Sequence, residues 1–204
     1  MTVSGMTQGK GWGLRAAVLA VSAAILASCG GAKAVNDTFN LTSVPAVEGP
    51  SARNRQILVT EPSALKALGS DQVVVRPTTS EVQYLAKAQW SDSLPKLVQA
   101  KLIQAFETSG ALGGVGKPGE GLAIDYQVVT TLRTFEVRTS GPATAVVEIF
   151  AKIVNDRNGT VRAQHLFRAT APVSGSGGPA FVAGLDAAFA RVTADIVGWT
   201  LKSI

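Results

Sequence analysis

The residue with the most reactive side chain in this sequence is Cys29, the one cysteine among 204 residues. A thiolate is a strong nucleophile, and this cysteine directly follows an apolar run over residues 16–27 and one serine. Lys10 and Arg15 precede the run, and no acidic residue occurs before Cys29. A basic start, an apolar middle and small residues at the end are the layout of a secretory signal. The run is too short to span a bilayer, which takes about 20 apolar residues.

The four residues Leu26-Ala27-Ser28-Cys29 resemble a bacterial lipobox. The resemblance implies that the Cys29 thiol accepts a diacylglyceryl group, that residues 1–28 are a lipoprotein signal peptide, and that the new amine is acylated. Each buried methylene contributes about 0.8 kcal/mol, so two or more acyl chains hold a protein stably to a membrane. The alternatives are an ordinary secretory signal that happens to contain a cysteine, and a buried cysteine on an apolar helix. Met6 is an alternative start to Met1.

The composition limits the classes of protein. Nineteen basic and fourteen acidic residues give a net charge of +5, which falls to +3 when residues 1–28 are removed. The basic residues are scattered, whereas a nucleic-acid-binding protein clusters them on one face. With its cysteine committed to lipid, the mature chain has no disulfide and no thiolate metal site. Residues 29–36 are predicted to be a flexible, lipidated tether, and residues 37–204 one domain.

Two helices are predicted from apolar residues at helical spacing. The first covers residues 93–109, with Pro95 in the first turn, where no amide partner is lost. The second covers residues 179–201 and has the clearest apolar stripe of the domain, which we interpret as a core-facing side. A stretch over residues 62–68 is predicted to form one or two further helical turns.

Strands are predicted on both sides of the first helix. Short strands precede it at residues 38–42, 55–60, 72–76 and 81–86. After it, the glycine-rich residues 110–121 are predicted to be a mobile loop. Three long strands follow at residues 122–137, 144–154 and 160–171, with a bulge near Thr134 and a tight turn at Asn158-Gly159. This order predicts an α+β fold, a single domain in which a mostly antiparallel sheet packs against two main helices.

The remaining polar residues form no recognisable catalytic pattern. A phosphate loop of the form G-x-x-x-x-G-K-[ST] is excluded because Ala111 and Pro118 stand at two required positions. His165, the one histidine, has no acidic neighbour in sequence and is interpreted as structural. Asp186 and Asp195 on the last helix are predicted to be solvated. The sequence therefore indicates no enzyme, no metal site, and no cofactor beyond the covalent lipid on the cysteine.

Tyr84 and Trp90 are the candidate residues of a partner interface. Both lie just before the first predicted helix, and large aromatic side chains are enriched in interfaces. Aromatic side chains also dominate protein cores, and core packing where the strand meets the helix is the favoured alternative.

Three segments together resemble the ABC-type transport auxiliary lipoproteins, the PqiC-like family. They are residues 38–41, residues 84–90 followed by Leu94-Pro95, and residues 187–199. The resemblance implies a compact α+β domain on a periplasmic lipoprotein. It also implies as partners an MCE-domain protein with its ABC permease and ATPase, which move lipids, phospholipids or others, between the inner and outer membranes. Some members of this family form homo-oligomeric rings, so the resemblance adds a second copy of the chain to the candidate partners.

Gly30 follows the predicted lipidation site. An aspartate there commonly retains lipoproteins in the inner membrane, so the resemblance implies anchoring at the periplasmic face of the outer membrane. The alternative function is a lipid-anchored assembly factor or regulator of envelope biogenesis. Neighbouring genes for a permease, an ATPase and an MCE protein would favour transport. A periplasmic hydrolase is disfavoured because no nucleophile–base pair can be proposed.

Overall fold

A computed structural model describes residues 1–2 and 36–204 of the chain. Residues 3–35 lie outside the described part. They include nearly all of the predicted signal peptide, the predicted lipidation site Cys29 and most of the predicted tether. The folded unit runs from Asn36 to Ile204. The Asn36 side chain donates a 3.1 Å hydrogen bond to the side-chain oxygen of Gln89, so the chain is held to the sheet from this residue onward.

Three long antiparallel strands form the body of the sheet: β7 (Tyr126–Arg138), β8 (Thr144–Asn155) and β9 (Val161–Pro172). The predicted bulge is confirmed, because the pairing of β7 with β8 shifts between Leu132 and Thr134. Core-facing residues of β7 are even-numbered before this point and odd-numbered after it. The predicted turn between β8 and β9 is also confirmed, with Gly159 at a φ of +70°.

The other edge of β7 pairs in succession with three short parallel strands: β2 (Ala52–Val59), β3 (Ser63–Ala64) and β4 (Gln72–Arg76). Three more strands extend the sheet outward: β6 (Leu112–Gly116) is parallel to β2, β5 (Gln83–Trp90) is antiparallel to β4, and β1 (Asp37–Phe39) is parallel to β5. The result is a mixed nine-stranded sheet in which the long pairings are antiparallel.

Helix α1 (Leu94–Ser109) follows Ser93 and ends at Gly110, whose φ of +60° is a conformation that glycine adopts without strain. Pro95 occupies its first turn, as predicted. The residues that it buries recur every three or four positions: Leu94, Pro95, Val98, Leu102, Ala105 and Phe106. This side packs on β2, β6 and the second helix.

Helix α2 (Gly178–Ser203) lies across β7, β8 and β9. Gly184 permits its close approach to the sheet, because a Cβ atom there would stand 2.9 Å from Val173 Cγ2 and 3.3 Å from Ala145 Cβ. In the described part of the chain, neither helix is long and apolar enough to cross a membrane. The α+β prediction, with two helices against the sheet, is thus confirmed.

The core lies between the sheet and the two helices, and three aromatic rings link its parts. Trp90 at the end of β5 meets Phe135 of β7 edge-on, with ring centroids 6.0 Å apart. Phe135 in turn packs on Phe189 of α2, with centroids 5.8 Å apart. Such pairs contribute about 0.5–1.5 kcal/mol beyond the area that they bury.

Three local predictions were wrong. Residues 110–121 contain strand β6 rather than only a loop, because β2 offers an edge for pairing and Gly113 lets the backbones approach: a Cβ there would collide with the Arg53 carbonyl oxygen. Residues 62–68 hold the short strand β3 and a turn instead of helix, because this segment pairs with β7. Strand β7 begins at Tyr126 and not at Leu122.

Candidate functional site

A buried carboxylate holds two arginines at one end of the sheet. Arg76 of β4 lies directly beside Arg138 of β7 in the parallel register. Arg76 Nε donates a 2.8 Å hydrogen bond to Glu136 Oε2, and Arg138 Nε donates a 3.0 Å bond to Oε1 of the same carboxylate. The Glu136 side chain is 4% exposed, whereas those of Arg76 and Arg138 are 27% and 42% exposed.

The position of this group follows from strand alternation. Successive side chains of a strand point to opposite faces of a sheet. Phe135 and Val137 belong to the core on the helix side. Glu136 and Arg138 therefore lie on the face away from α2, where the Glu136 carboxylate also meets the Arg76 guanidinium of the neighbouring strand β4.

The two arginines border a cleft of about 300 Å³. We call it the arginine cleft; its lining consists of Arg76, Thr78, Thr79, Thr134, Glu136, Arg138 and Ser140. Two guanidinium groups face one carboxylate, so the charged lining carries a net charge of +1. Hydroxyl groups make up the rest of its polar side chains. This combination attracts anions and offers them hydrogen-bond donors.

A second buried acid, Asp186, joins α2 to the segment after β1. Its Oδ1 accepts bonds from the backbone N–H groups of Thr42 (3.0 Å) and Ser43 (3.2 Å). Its Oδ2 accepts bonds from the hydroxyls of the same two residues, at 2.6 and 2.7 Å. The prediction that Asp186 is solvated was therefore wrong, because this residue is only 8% exposed. Asp195, on the same helix, is exposed as predicted.

Two opposing effects set the pKa of Asp186. Burial of the carboxylate raises this pKa, and the hydrogen bonds from Thr42 and Ser43 lower it. The four bonds together outweigh burial, so the net pKa lies below its ordinary value. Asp186 is ionised at neutral pH and acts as a fixed acceptor within the fold.

The two candidate interface residues occupy different environments. Trp90 is 2% exposed and packs in the core, so its side chain is not available to a partner in the folded chain. The prediction of a shared aromatic interface thus needs correction, since the alternative of core packing describes Trp90. Tyr84 is 48% exposed on β5, beside the exposed Val82. Strand register places Tyr84 opposite Val74, which pairs in turn with Glu136, so Tyr84 lies on the same sheet face as the arginine cleft.

His165, which the sequence predicts to be structural, is exposed on β9. Its ring packs against Phe167, with centroids 4.7 Å apart, and Phe167 packs against Trp199 of α2, with centroids 5.4 Å apart.

Among residues 1–2 and 36–204, no group of three His, Cys, Asp or Glu side chains is placed to hold a metal ion. Asp125 directly precedes β7, and Glu136 lies near the other end of this strand. The two acids are engaged separately, and Asp125 accepts a hydrogen bond from the backbone N–H of Gln56.

The arrangement is that of a small α+β domain whose surface features suit binding: an arginine cleft and an exposed aromatic residue on the open sheet face. The chain belongs to the family of ABC-type transport auxiliary lipoprotein components, whose sequence model matches residues 39–197. The family description as a transport auxiliary component is consistent with a role other than catalysis.

Individual proteins resemble the chain in sequence and in fold. An uncharacterized protein of Bradyrhizobium diazoefficiens is 32% identical over 177 residues, which is 86% of this chain and 47% of that protein. The chain thus spans about half the length of this curated relative. The crystal structure of a protein from Xanthomonas campestris is 28% identical, with a TM-score of 0.75 over 82% of this chain and 95% of that one. A further uncharacterized structure, 16% identical with a TM-score of 0.64 over 80% of this chain and 97% of its own, shares the fold.

Proposed function

We propose that this chain is the non-catalytic, lipid-anchored auxiliary component of an MCE-type ABC system that moves phospholipids between the inner and outer membranes. The family match over residues 39–197 carries the proposal, because it covers nearly all of the folded unit and belongs to transport auxiliary lipoproteins. The lipobox-like sequence ending in Cys29 supports it independently, since it supplies the expected anchor.

The proposed location is the periplasmic face of the outer membrane. Gly30 lacks the carboxylate that retains lipoproteins in the inner membrane, and the folded unit begins at Asn36, shortly after the anchor. The seven Cα–Cα steps from Cys29 to Asn36 reach at most about 25 Å, so the domain would work close to the membrane surface.

The proposed contact with the MCE protein or with a neighbouring subunit is the sheet face around Tyr84. Tyrosine is favoured in interfaces because it offers a large apolar area with a polar tip. Tyr84 and Val82 are among the few large apolar side chains that the described residues expose. Assembly of several copies into a ring is part of the proposal, and this face is the one that we expect to be covered in it.

Complementation of a deletion strain tests the proposed function. Loss of the gene should increase outer-membrane permeability to a large hydrophobic antibiotic, and the wild-type gene should restore the barrier. A Cys29→Ala variant should be produced but should fail to restore it, because the domain would no longer be held at the membrane. A deletion strain with an intact barrier, or full restoration by Cys29→Ala, would count against a membrane-anchored transport role.

A further inference from the structure

We infer that the arginine cleft binds a phosphate group, either on a lipid headgroup or as a free phosphate. The cleft holds two guanidinium groups and one carboxylate. One cationic partner would be enough to neutralise the buried Glu136 carboxylate, but Glu136 has two. The second guanidinium leaves an unbalanced positive charge at a partly enclosed surface, which favours an anionic ligand.

The geometry of the bonds adds to the charge. Each arginine binds Glu136 through its Nε, so these two bonds do not use the Nη groups of either side chain. One of these, Arg76 Nη1, donates a 3.3 Å bond to the Thr79 carbonyl oxygen. No acceptor among residues 36–204 takes the others. Two neighbouring guanidinium groups with unused Nη donors can bind the oxygens of a tetrahedral phosphate.

Glu136 also prepares the cleft for binding. An arginine side chain loses considerable conformational freedom when a ligand immobilises it. Here the bonds to Glu136 have already fixed both guanidinium groups in the free protein, so a ligand would meet donors that are in place. A buried acid beneath two arginines thus acts as a positioning group rather than as a ligand-binding one.

The hydroxyl groups and the size of the cleft restrict the ligand. Thr78 Oγ1 accepts a 3.2 Å bond from the Glu81 N–H, which leaves its own hydrogen available as a donor. Thr134 and Ser140 add two more hydroxyls to the lining. A volume of about 300 Å³ accommodates a phosphate with a small polar substituent but not acyl chains. The lipid source rests on the proposed function, whereas the phosphate chemistry rests on the cleft alone.

Arginine side-chain NMR on the full chain tests this inference. The protein is prepared in dodecyl maltoside, a detergent without phosphate, and the Nε–Hε signals are followed at constant ionic strength. The probes are inorganic phosphate, dihexanoyl phosphatidylglycerol and an acidic glutamate peptide. We expect saturable shifts of Arg76 and Arg138 with a phosphate probe and none for Arg168, an exposed arginine of β9 outside the cleft.

Matched variants define the site. Arg138→Lys keeps a positive charge beside Glu136 and so preserves the fold, but it removes the planar fork, and phosphate affinity should fall about tenfold. Arg168→Lys should leave the affinity unchanged. Tighter binding of the phosphatidylglycerol than of inorganic phosphate would identify a headgroup site, and similar binding a free-phosphate site. Absence of saturable shifts with both phosphate probes would overturn the inference. Equal affinity for the glutamate peptide would also overturn it and would indicate an acidic protein surface instead.

The outcome is separable from that of the proposed function. If Arg138→Lys loses phosphate binding but still restores the outer-membrane barrier, the cleft binds phosphate without being needed for transport. If the wild-type chain binds no phosphate but restores the barrier, the cleft inference fails alone.

Discussion

Thr42 and Asp186 are 144 residues apart in sequence, yet the Thr42 hydroxyl donates a 2.6 Å hydrogen bond to the Asp186 carboxylate. Together with the bonds from Ser43, this contact fixes the segment after β1 to the side of α2. One buried carboxylate therefore attaches the segment near the start of the folded unit to α2. A charged acceptor with four donors is a strong local constraint, because hydrogen bonds to ionised groups are about twice as strong as neutral ones.

Asp186→Asn should lower the free energy of unfolding by about 1–3 kcal/mol, because the amide cannot accept from all four donors and leaves some of them unpaired. Urea denaturation measures the change. Asp195→Asn is the matched control on the same helix, and its exposed position predicts a change within about 0.5 kcal/mol. Equal effects of the two substitutions would contradict the role given to Asp186.

The same carboxylate makes stability depend on pH. Its pKa in the folded chain is below the ordinary value of 3.8, so the unfolded chain binds the proton more readily. The contribution of Asp186 is therefore complete above the unfolded pKa and is lost as the pH falls through the folded pKa. Unfolding measured across acidic pH should show a smaller loss of stability in Asp186→Asn than in the wild-type chain.

Thr193→Val should raise the free energy of unfolding by up to about 1 kcal/mol. The Thr193 hydroxyl is buried and has no hydrogen-bond partner among the described residues, so an apolar group of the same shape removes a desolvation cost. Thr42→Val is the contrasting variant: it deletes the bond to Asp186 and should destabilise. Destabilisation by Thr193→Val would mean that this hydroxyl has a partner in solution.

Lys87→Gly should stabilise the domain by about 0.5–1 kcal/mol. Lys87 lies within β5 at a φ of +58°, in the left-handed region that costs residues other than glycine about 1–2 kcal/mol. The pairing of β4 with β5 is irregular at this place, which explains why the backbone turns there. Gln83→Gly, at an exposed position of the same strand, should instead destabilise. Chemical denaturation of the two variants separates relief of strain from a general effect of glycine.

Trp90→Ala should lower the stability of the domain, whereas Tyr84→Ala should weaken the binding of partner proteins. Trp90 is fully buried against Phe135, and its truncation should cost about 3–5 kcal/mol of stability. Tyr84 is half exposed, so Tyr84→Ala should leave the thermal midpoint nearly unchanged but weaken the recovery of partner proteins from membranes. A stable Trp90→Ala domain would contradict the core role of Trp90. Unaltered partner recovery with Tyr84→Ala would remove the interface assigned to the sheet face.

Elements with strong periodic patterns were predictable from the sequence. The apolar spacing of both helices and the change of phase near Thr134 identified α1, α2 and the bulge of β7. Strand β6 was missed because its glycines carry no alternating pattern. Its identity depends on an edge of β2 that lies more than fifty residues earlier, and on the close backbone approach at Gly113.

The polar sites were less predictable, because their partners come from distant segments. Glu136 lies between two core residues of a strand, and only the parallel pairing of β4 with β7 brings Arg76 to it. Asp186 did carry a signal: it falls four residues after Val182 and three before Phe189, both buried, which places it at the margin of the apolar stripe. A charged residue at such spacing indicates a buried, hydrogen-bonded acid more readily than a solvated one.

Co-purification from native membranes is the most direct test of the central claim, that this chain is an auxiliary lipoprotein of an MCE-type ABC transport system. The tagged wild-type chain, chemically crosslinked in intact cells and extracted in mild detergent, should recover an MCE-domain protein with its permease and ATPase. A Cys29→Ala chain at the same expression level should recover much less of them. Recovery of the wild-type chain without any transporter subunit above an untagged control would contradict the account.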